Sequence, residues 1–194
     1  MTVQRLIVGF SGATGIIYGI RLLEVLRSVA DIETHLIISN AAKRTIQLET
    51  DHTVEQVEAL ADRLYNFNNV AAAISSGSYQ TMGMVVLPCA IKTLSGIANS
   101  YSDNLILRAA DVVLKERRKL ILTLRETPLH LGHLRLMVQV TEMGGIIVPP
   151  MPAFYHRPQT IDDIINQTVN RVLDVLDIQL PQDLFDRWGG PPQS

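Results

Sequence analysis

Five short apolar runs, each ending in small, hydroxyl-bearing or ionisable residues and followed by a longer helical pattern, constrain this chain most. They lie at 6–10, 35–38, 84–87, 120–124 and 145–148. The runs are apolar throughout rather than alternating, so both of their faces must be covered. Strands of that kind, interleaved with helices, predict an α/β fold with a parallel sheet between two helical layers. Helices are expected at 16–29, 41–48, 53–64, 93–99, 104–118, 131–143 and 161–176. Thr53 and Gln56 form a capping box at the start of the third. The last carries a stripe of Ile161, Ile164, Ile165, Val169, Val172, Leu173 and Leu176 and should dock on the sheet. Residues 1–180 are expected to form a single domain, with the Pro/Gly-rich stretch 181–194 as a tail.

Open parallel sheets bind ligands beyond the carboxyl ends of their strands, at a topological switch point. The residues that follow the runs are therefore candidates. After the first run comes Ser11-Gly12-Ala13-Thr14-Gly15, where glycine permits a tight turn and helix N–H groups with two hydroxyls can hold a phosphate or a flavin edge. A purely structural turn is the alternative. It is neither a dinucleotide fingerprint nor a Walker loop, and the second strand ends in Ser39 rather than a ribose-binding acid, which disfavours NAD.

The third run leads into Cys89-Ala90-Ile91-Lys92-Thr93, a helix start that could bond a ring or a phosphate, or be an ordinary capped helix. Cys89 reads as a small buried residue rather than a nucleophile. The fourth run ends at Arg125-Glu126, a cation beside a potential acid, and the fifth leads through prolines to Tyr155. Arg108 and Lys115 lie seven apart on one predicted helix, nearly on one face, where two cations suit a phosphate or simply solvent. Arg171 flanks the stripe of the last helix. His130 and His133 lack the glutamate and further ligands of a zinc motif, so no metal is expected.

Net charge is −2, and the one basic run, 115–119, is short, which excludes a broad nucleic-acid footprint. The uncharged stretch 70–91 is broken by serines, glycines and Pro88, so no membrane span is expected. The N-terminus has no signal-type pattern and Cys89 is the only cysteine, which together suggest a cytoplasmic setting. Hydrophobic residues make up 47% and charged residues 19%, with mean hydropathy +0.18. Such a chain is either a compact monomer or one whose apolar surface is covered by other subunits.

Taken in order, S-G-A-T-G, the Ser39 strand end, P-C-A-I-K-T-L-S-G-I-A, R-A-A-D-V-V-L-K-E-R-R-K, R-E-T-P-L-H and P-A-F-Y-H-R-P-Q resemble the UbiX-type flavin prenyltransferases over nearly the whole chain. The resemblance implies a flavodoxin-like (Rossmann-like) sheet in a homo-oligomer, commonly a dodecamer, with sites where subunits meet. It implies that Gly12, Ala13, Thr14, Ser39, Ala90, Ile91, Lys92, Thr93 and Arg125 hold FMN. Arg108, Lys115, Tyr155 and Arg171 would hold the phosphate of dimethylallyl phosphate. Glu126, with Thr14 and Lys115, would assist the chemistry, in which reduced FMN accepts the dimethylallyl group without a metal. The product would pass to a UbiD-type decarboxylase. Many members have serine at the position of Thr14, a change that keeps the hydroxyl and adds a methyl group. FMN-dependent decarboxylases and a non-catalytic flavin carrier are the rival classes.

Overall fold

The computed structural model describes residues 3–190. Within these residues six strands form one sheet: β1 (Gln4–Phe10), β2 (Ile32–Ile38), β3 (Arg63–Tyr65), β4 (Gly83–Cys89), β5 (Lys119–Leu124) and β6 (Ile146–Ile147). Their order is β3-β2-β1-β4-β5-β6 and every pairing is parallel. The chain therefore reverses its direction of travel between β1 and β4, and the switch point lies there.

Among the described residues seven α-helices surround the sheet: α1 (Ile16–Leu26), α2 (Asn40–Glu49), α3 (Val54–Glu58), α4 (Ile91–Ala98), α5 (Leu105–Lys115), α6 (Leu131–Glu142) and α7 (Ile161–Val175). Strand residues alternate between two apolar cores. Leu6, Val8 and Phe10 join α1 and α7 on one face, while Ile7, Met84 and Val86 join α4 and α5 on the other. Burial on both faces is what the unbroken apolar runs require. In α7, Ile165, Val169, Val172 and Leu173 are buried as the stripe predicts, whereas Ile161 is exposed.

Three expectations are corrected. The helix expected at 53–64 forms its capping box, Thr53 with Gln56, but stops at Glu58. Asp62 then accepts bonds from the Thr34 N–H (2.7 Å) and hydroxyl (2.8 Å), and Arg63 pairs with Glu33. These contacts pull 63–65 onto the edge of β2 as a sixth strand, so tertiary bonds override local helical pattern. The third strand, expected to end at residue 87, runs on through Pro88 to Cys89 after a register shift. Finally, α5 ends at Lys115 rather than 118, with Arg117 in the left-handed region (φ 57).

Beyond Leu180 the described residues form no helix or strand. They lie along α7, with Leu180 and Leu184 packed against the core.

Candidate functional site

A cavity of about 350 Å³ opens over the switch point. It gathers Gly12, Ser39, Ala90, Lys92 and Thr93 from the expected set, drawn from the ends of three strands. Its floor is fixed by Ser11, whose buried hydroxyl donates to the Pro88 carbonyl (2.9 Å) and accepts from the Ala90 N–H (2.8 Å). One side chain thus ties the end of β1 to the end of β4. Gly12 passes so close to α2 that a Cβ there would lie 2.4 Å from the Ala41 Cβ.

Ser39 caps α2, its oxygen accepting from the Ala42 N–H (3.1 Å), which leaves its proton free. By contrast, Ala90, the N-cap of α4, offers no side-chain cap, so the N–H groups of the first turn of α4 face the cavity end of the sheet. The opposite wall is apolar: Phe67, Ile106 and Leu107, with Asn104 capping α5 between them. Such a lining can take an anionic group at one end and a flat apolar ring at the other. A second cleft of about 480 Å³, sharing Asn40 and Phe67, adjoins it beyond β2 and β3.

The other expected residues stand around or away from this cavity. Ala13 and Thr14 continue the β1–α1 turn, with Thr14 exposed, and Gly15 ends it at φ 88. There the Glu49 carboxylate accepts from the N–H groups of Gly15 (2.8 Å) and Ile16 (3.3 Å), occupying the N-terminus of α1. Ile91 is partly buried in the first turn of α4. Arg125 and Glu126 are exposed just past β5, and Glu126 accepts from the Thr127 N–H (3.0 Å). Arg108 follows the cavity-lining Leu107 and pairs with Asp111 (3.1 Å).

Lys115 is eight residues further along α5 than Leu107, a span of about 12 Å at 1.5 Å per residue. It pairs with Glu116 beside Gly77, near the amino end of β5, so it lies at the edge of the sheet remote from the cavity. Tyr155 is partly exposed and accepts from the Gln167 amide (3.3 Å), while Arg171 donates to Asp174 (2.7 Å). Burial pushes the Cys89 thiol up to about 12, consistent with a packing role. The His130 and His133 ring centroids lie 3.6 Å apart with the rings tilted by 35°, and among the described residues no group of three or more His, Cys, Asp or Glu is placed to hold a metal.

Sequence reasoning missed Ser11's structural role and the lining residues Asn40, Ala41, Phe67, Asn104, Ile106 and Leu107. Asn104 had a signal, a capping residue just before an apolar periodic run. Glu49 had none.

The family model described as Flavoprotein matches residues 1–173. The flavin prenyltransferase UbiX of Escherichia coli (strain K12) is 67% identical over 187 residues, covering 96% of this chain and 99% of that protein. The chain belongs to the UbiX flavin prenyltransferase family. UbiX of Thauera aromatica is 58% identical over the same length, covering 96% of this chain and 95% of that protein. Among solved structures, AnUbiX in complex with FMN and dimethylallyl pyrophosphate superposes with TM-score 0.92 at 48% identity, covering 97% and 98% of the two chains. A dodecameric FMN-dependent UbiX-like decarboxylase from Escherichia coli O157:H7 superposes at 0.93 with 51% identity, covering 97% and 100%. The peptidyl-cysteine decarboxylase EpiD, at 17% identity and TM-score 0.62, shares the fold alone. The all-parallel sheet between two helical layers is the one the strand pattern predicts, and its flavodoxin-like character is the one the resemblance implies. Among the described residues no helix is long and apolar enough to cross a membrane.

Proposed function

We propose that the protein is a flavin prenyltransferase, transferring the dimethylallyl group of dimethylallyl phosphate to reduced FMN. The observation that carries the reading is the switch-point cavity, with hydroxyl and N–H donors at one end and an apolar wall at the other, in a chain 67% identical to a UbiX. This donor set suits FMN. Gly12, Ala13, Thr14, Ser39, the first turn of α4 from Ala90 to Thr93, and Arg125 would hold it. Bound reduced FMN supplies the nucleophilic N5 and the C6 position at which the new ring closes.

The remaining work falls to charged groups. As an allylic phosphate departs, negative charge grows on its oxygens, and fixed cations and donors lower that barrier. Arg108, Arg171 and the Tyr155 hydroxyl would hold the phosphate, and Glu126 would carry a proton to or from the reacting pair. Lys115 is too far from the cavity of its own chain to join them, and Arg171, about one turn before Val175, whose carbonyl accepts from Lys119 at the amino end of β5, also lies away from it, so both would serve the site of a neighbouring copy. That arrangement agrees with a homo-oligomer, and a dodecamer is the assembly we propose. Exposed Leu131, Leu134 and Val138, one stripe of α6, give such an assembly apolar surface to cover. We place the protein in the cytoplasm, handing prenylated FMN to a UbiD-type decarboxylase.

Incubation of the protein with reduced FMN and dimethylallyl phosphate, followed by mass spectrometry of the released flavin, tests the reading. A flavin heavier by one C5H8 unit is expected. Unmodified flavin, with FMN bound and the substrate intact, would refute it.

A further inference from the structure

We infer that the C-terminal segment from Asp183 to Trp188 is a strap that positions the prenyl-phosphate subsite, with Arg187 acting on Arg171 through Asp174. The inference rests on the proposed role of Arg171 and Tyr155, and adds residues to which neither the sequence pattern nor the cavity points.

Asp174 is the shared partner. Its Oδ2 accepts from Arg171 Nη1 (2.7 Å) and Arg187 Nη1 (3.0 Å), and its Oδ1 accepts from Arg187 Nη2 (2.7 Å). Arg187 also reaches Asp183 through Nε (2.5 Å) and Nη2 (2.6 Å). Burial raises the Asp174 carboxyl, but the bonds and charges of Arg187 and Arg171 outweigh it and hold it below its ordinary value. The strap is anchored from beneath: the buried Asn170 accepts from the Leu184 N–H (2.8 Å), and Leu184 packs on the core.

The same segment meets the second proposed phosphate ligand. The Tyr155 ring stands edge-on to Phe185 at 6.4 Å and to Trp188 at 6.2 Å. One short stretch of chain therefore touches the supports of both Arg171 and Tyr155.

The charge balance gives Arg187 its effect. Arg171 and Arg187 offset Asp174 and Asp183, so the group is neutral and Arg171 is engaged, among the described residues, through Nη1 alone. Without Arg187, Asp174 has Arg171 as its one remaining cation. The carboxylate would then draw Arg171 inward with more of its N–H groups, and a net negative charge would stand beside an incoming phosphate.

The test is steady-state prenyl transfer by the full chain carrying Arg187→Gln, with dimethylallyl phosphate varied at saturating reduced FMN. We expect KM for dimethylallyl phosphate to rise about tenfold, a typical coupling within one ion-pair network, while FMN affinity is unchanged. In an Arg171→Ala background the same change should add less than about twofold, because its route is already gone. Arg187→Lys, which keeps the charge and loses the planar fork, should fall between, and it provides the comparison if the Gln variant does not fold. An unchanged KM, an additive effect in the Arg171→Ala background, or a parallel loss of FMN affinity would overturn the strap. A normal protein that makes no prenylated flavin would instead overturn the activity.

Discussion

Gly12→Ala probes how tightly the cavity is framed. The added methyl would meet the Ala41 Cβ at 2.4 Å, whereas carbon atoms rest comfortably at about 3.5–4.0 Å. The turn and α2 must therefore separate by at least about 1.1 Å at this point. Overpacking of that kind costs about 1–3 kcal/mol. At about 2–4 °C per kcal/mol for a domain of this size, Tm should fall by about 2–12 °C. Ala41 sits in the first turn of α2, next to Ser39 and Asn40, so the displacement passes into the cavity wall, and FMN affinity should weaken about tenfold, a change of about 1.4 kcal/mol. Ala41→Gly in the same molecule removes the opposing methyl and leaves only ordinary contacts at 3.5 and 3.6 Å, so it should restore most of both losses. Thermal melts of the ligand-free protein and a fluorescence titration with FMN read the two effects. An alanine variant with native Tm and native FMN affinity, or a double variant with no recovery, would refute the reasoning.

Three further outcomes follow from single contacts. Ser11→Ala leaves the Ala90 N–H without its acceptor beneath the cavity and should cost about 1–3 kcal/mol in urea unfolding; a loss below experimental error would mean that water replaces the hydroxyl. Glu126→Gln should keep the fold and FMN binding and slow single-turnover prenylation about 100-fold or more; a near-native rate would leave Glu126 no part in proton transfer. Burial holds the His35 imidazole below its ordinary value, opposed by Glu33 and reinforced by Arg5 and Arg63. Its contribution to stability is therefore full above about pH 6.5, the unfolded value, and is lost as pH falls below it. Tm should drop on acidification in that window, and less so in His35→Gln; parallel curves for the two proteins would assign the drop to other groups.

The sheet was legible because its strands are unbroken apolar runs, and a run buried on both faces leaves little else to be. The cavity floor was legible for a related reason: the residues directly after such runs must lie at the binding edge. β3 was not, since nothing in 63–65 is strand-like until Asp62 and Arg63 find Thr34 and Glu33, partners about thirty positions away. Phe67, Ile106 and Leu107 were hidden differently. Each belongs to a pattern that core packing explains equally well, and only the path of the chain turns them to the cavity. Lys115 shows the limit of helical spacing. It shares a face with Arg108, yet spacing along a helix says nothing about which edge of the sheet each residue reaches.

The two serines at the ends of β1 and β2 look alike in sequence but differ in what they can offer a guest molecule. Ser11 uses its hydrogen on the Pro88 carbonyl and one lone pair on the Ala90 N–H, so it is almost closed to further bonding. Ser39 receives from the Ala42 N–H and keeps its hydrogen to give. Together with the open first turn of α4, this gives that end of the cavity a surplus of hydrogens to donate. A guest rich in exposed oxygens finds partners there. Recognition at this end is therefore by hydrogen-bond polarity, settled by the fold before any side chain moves.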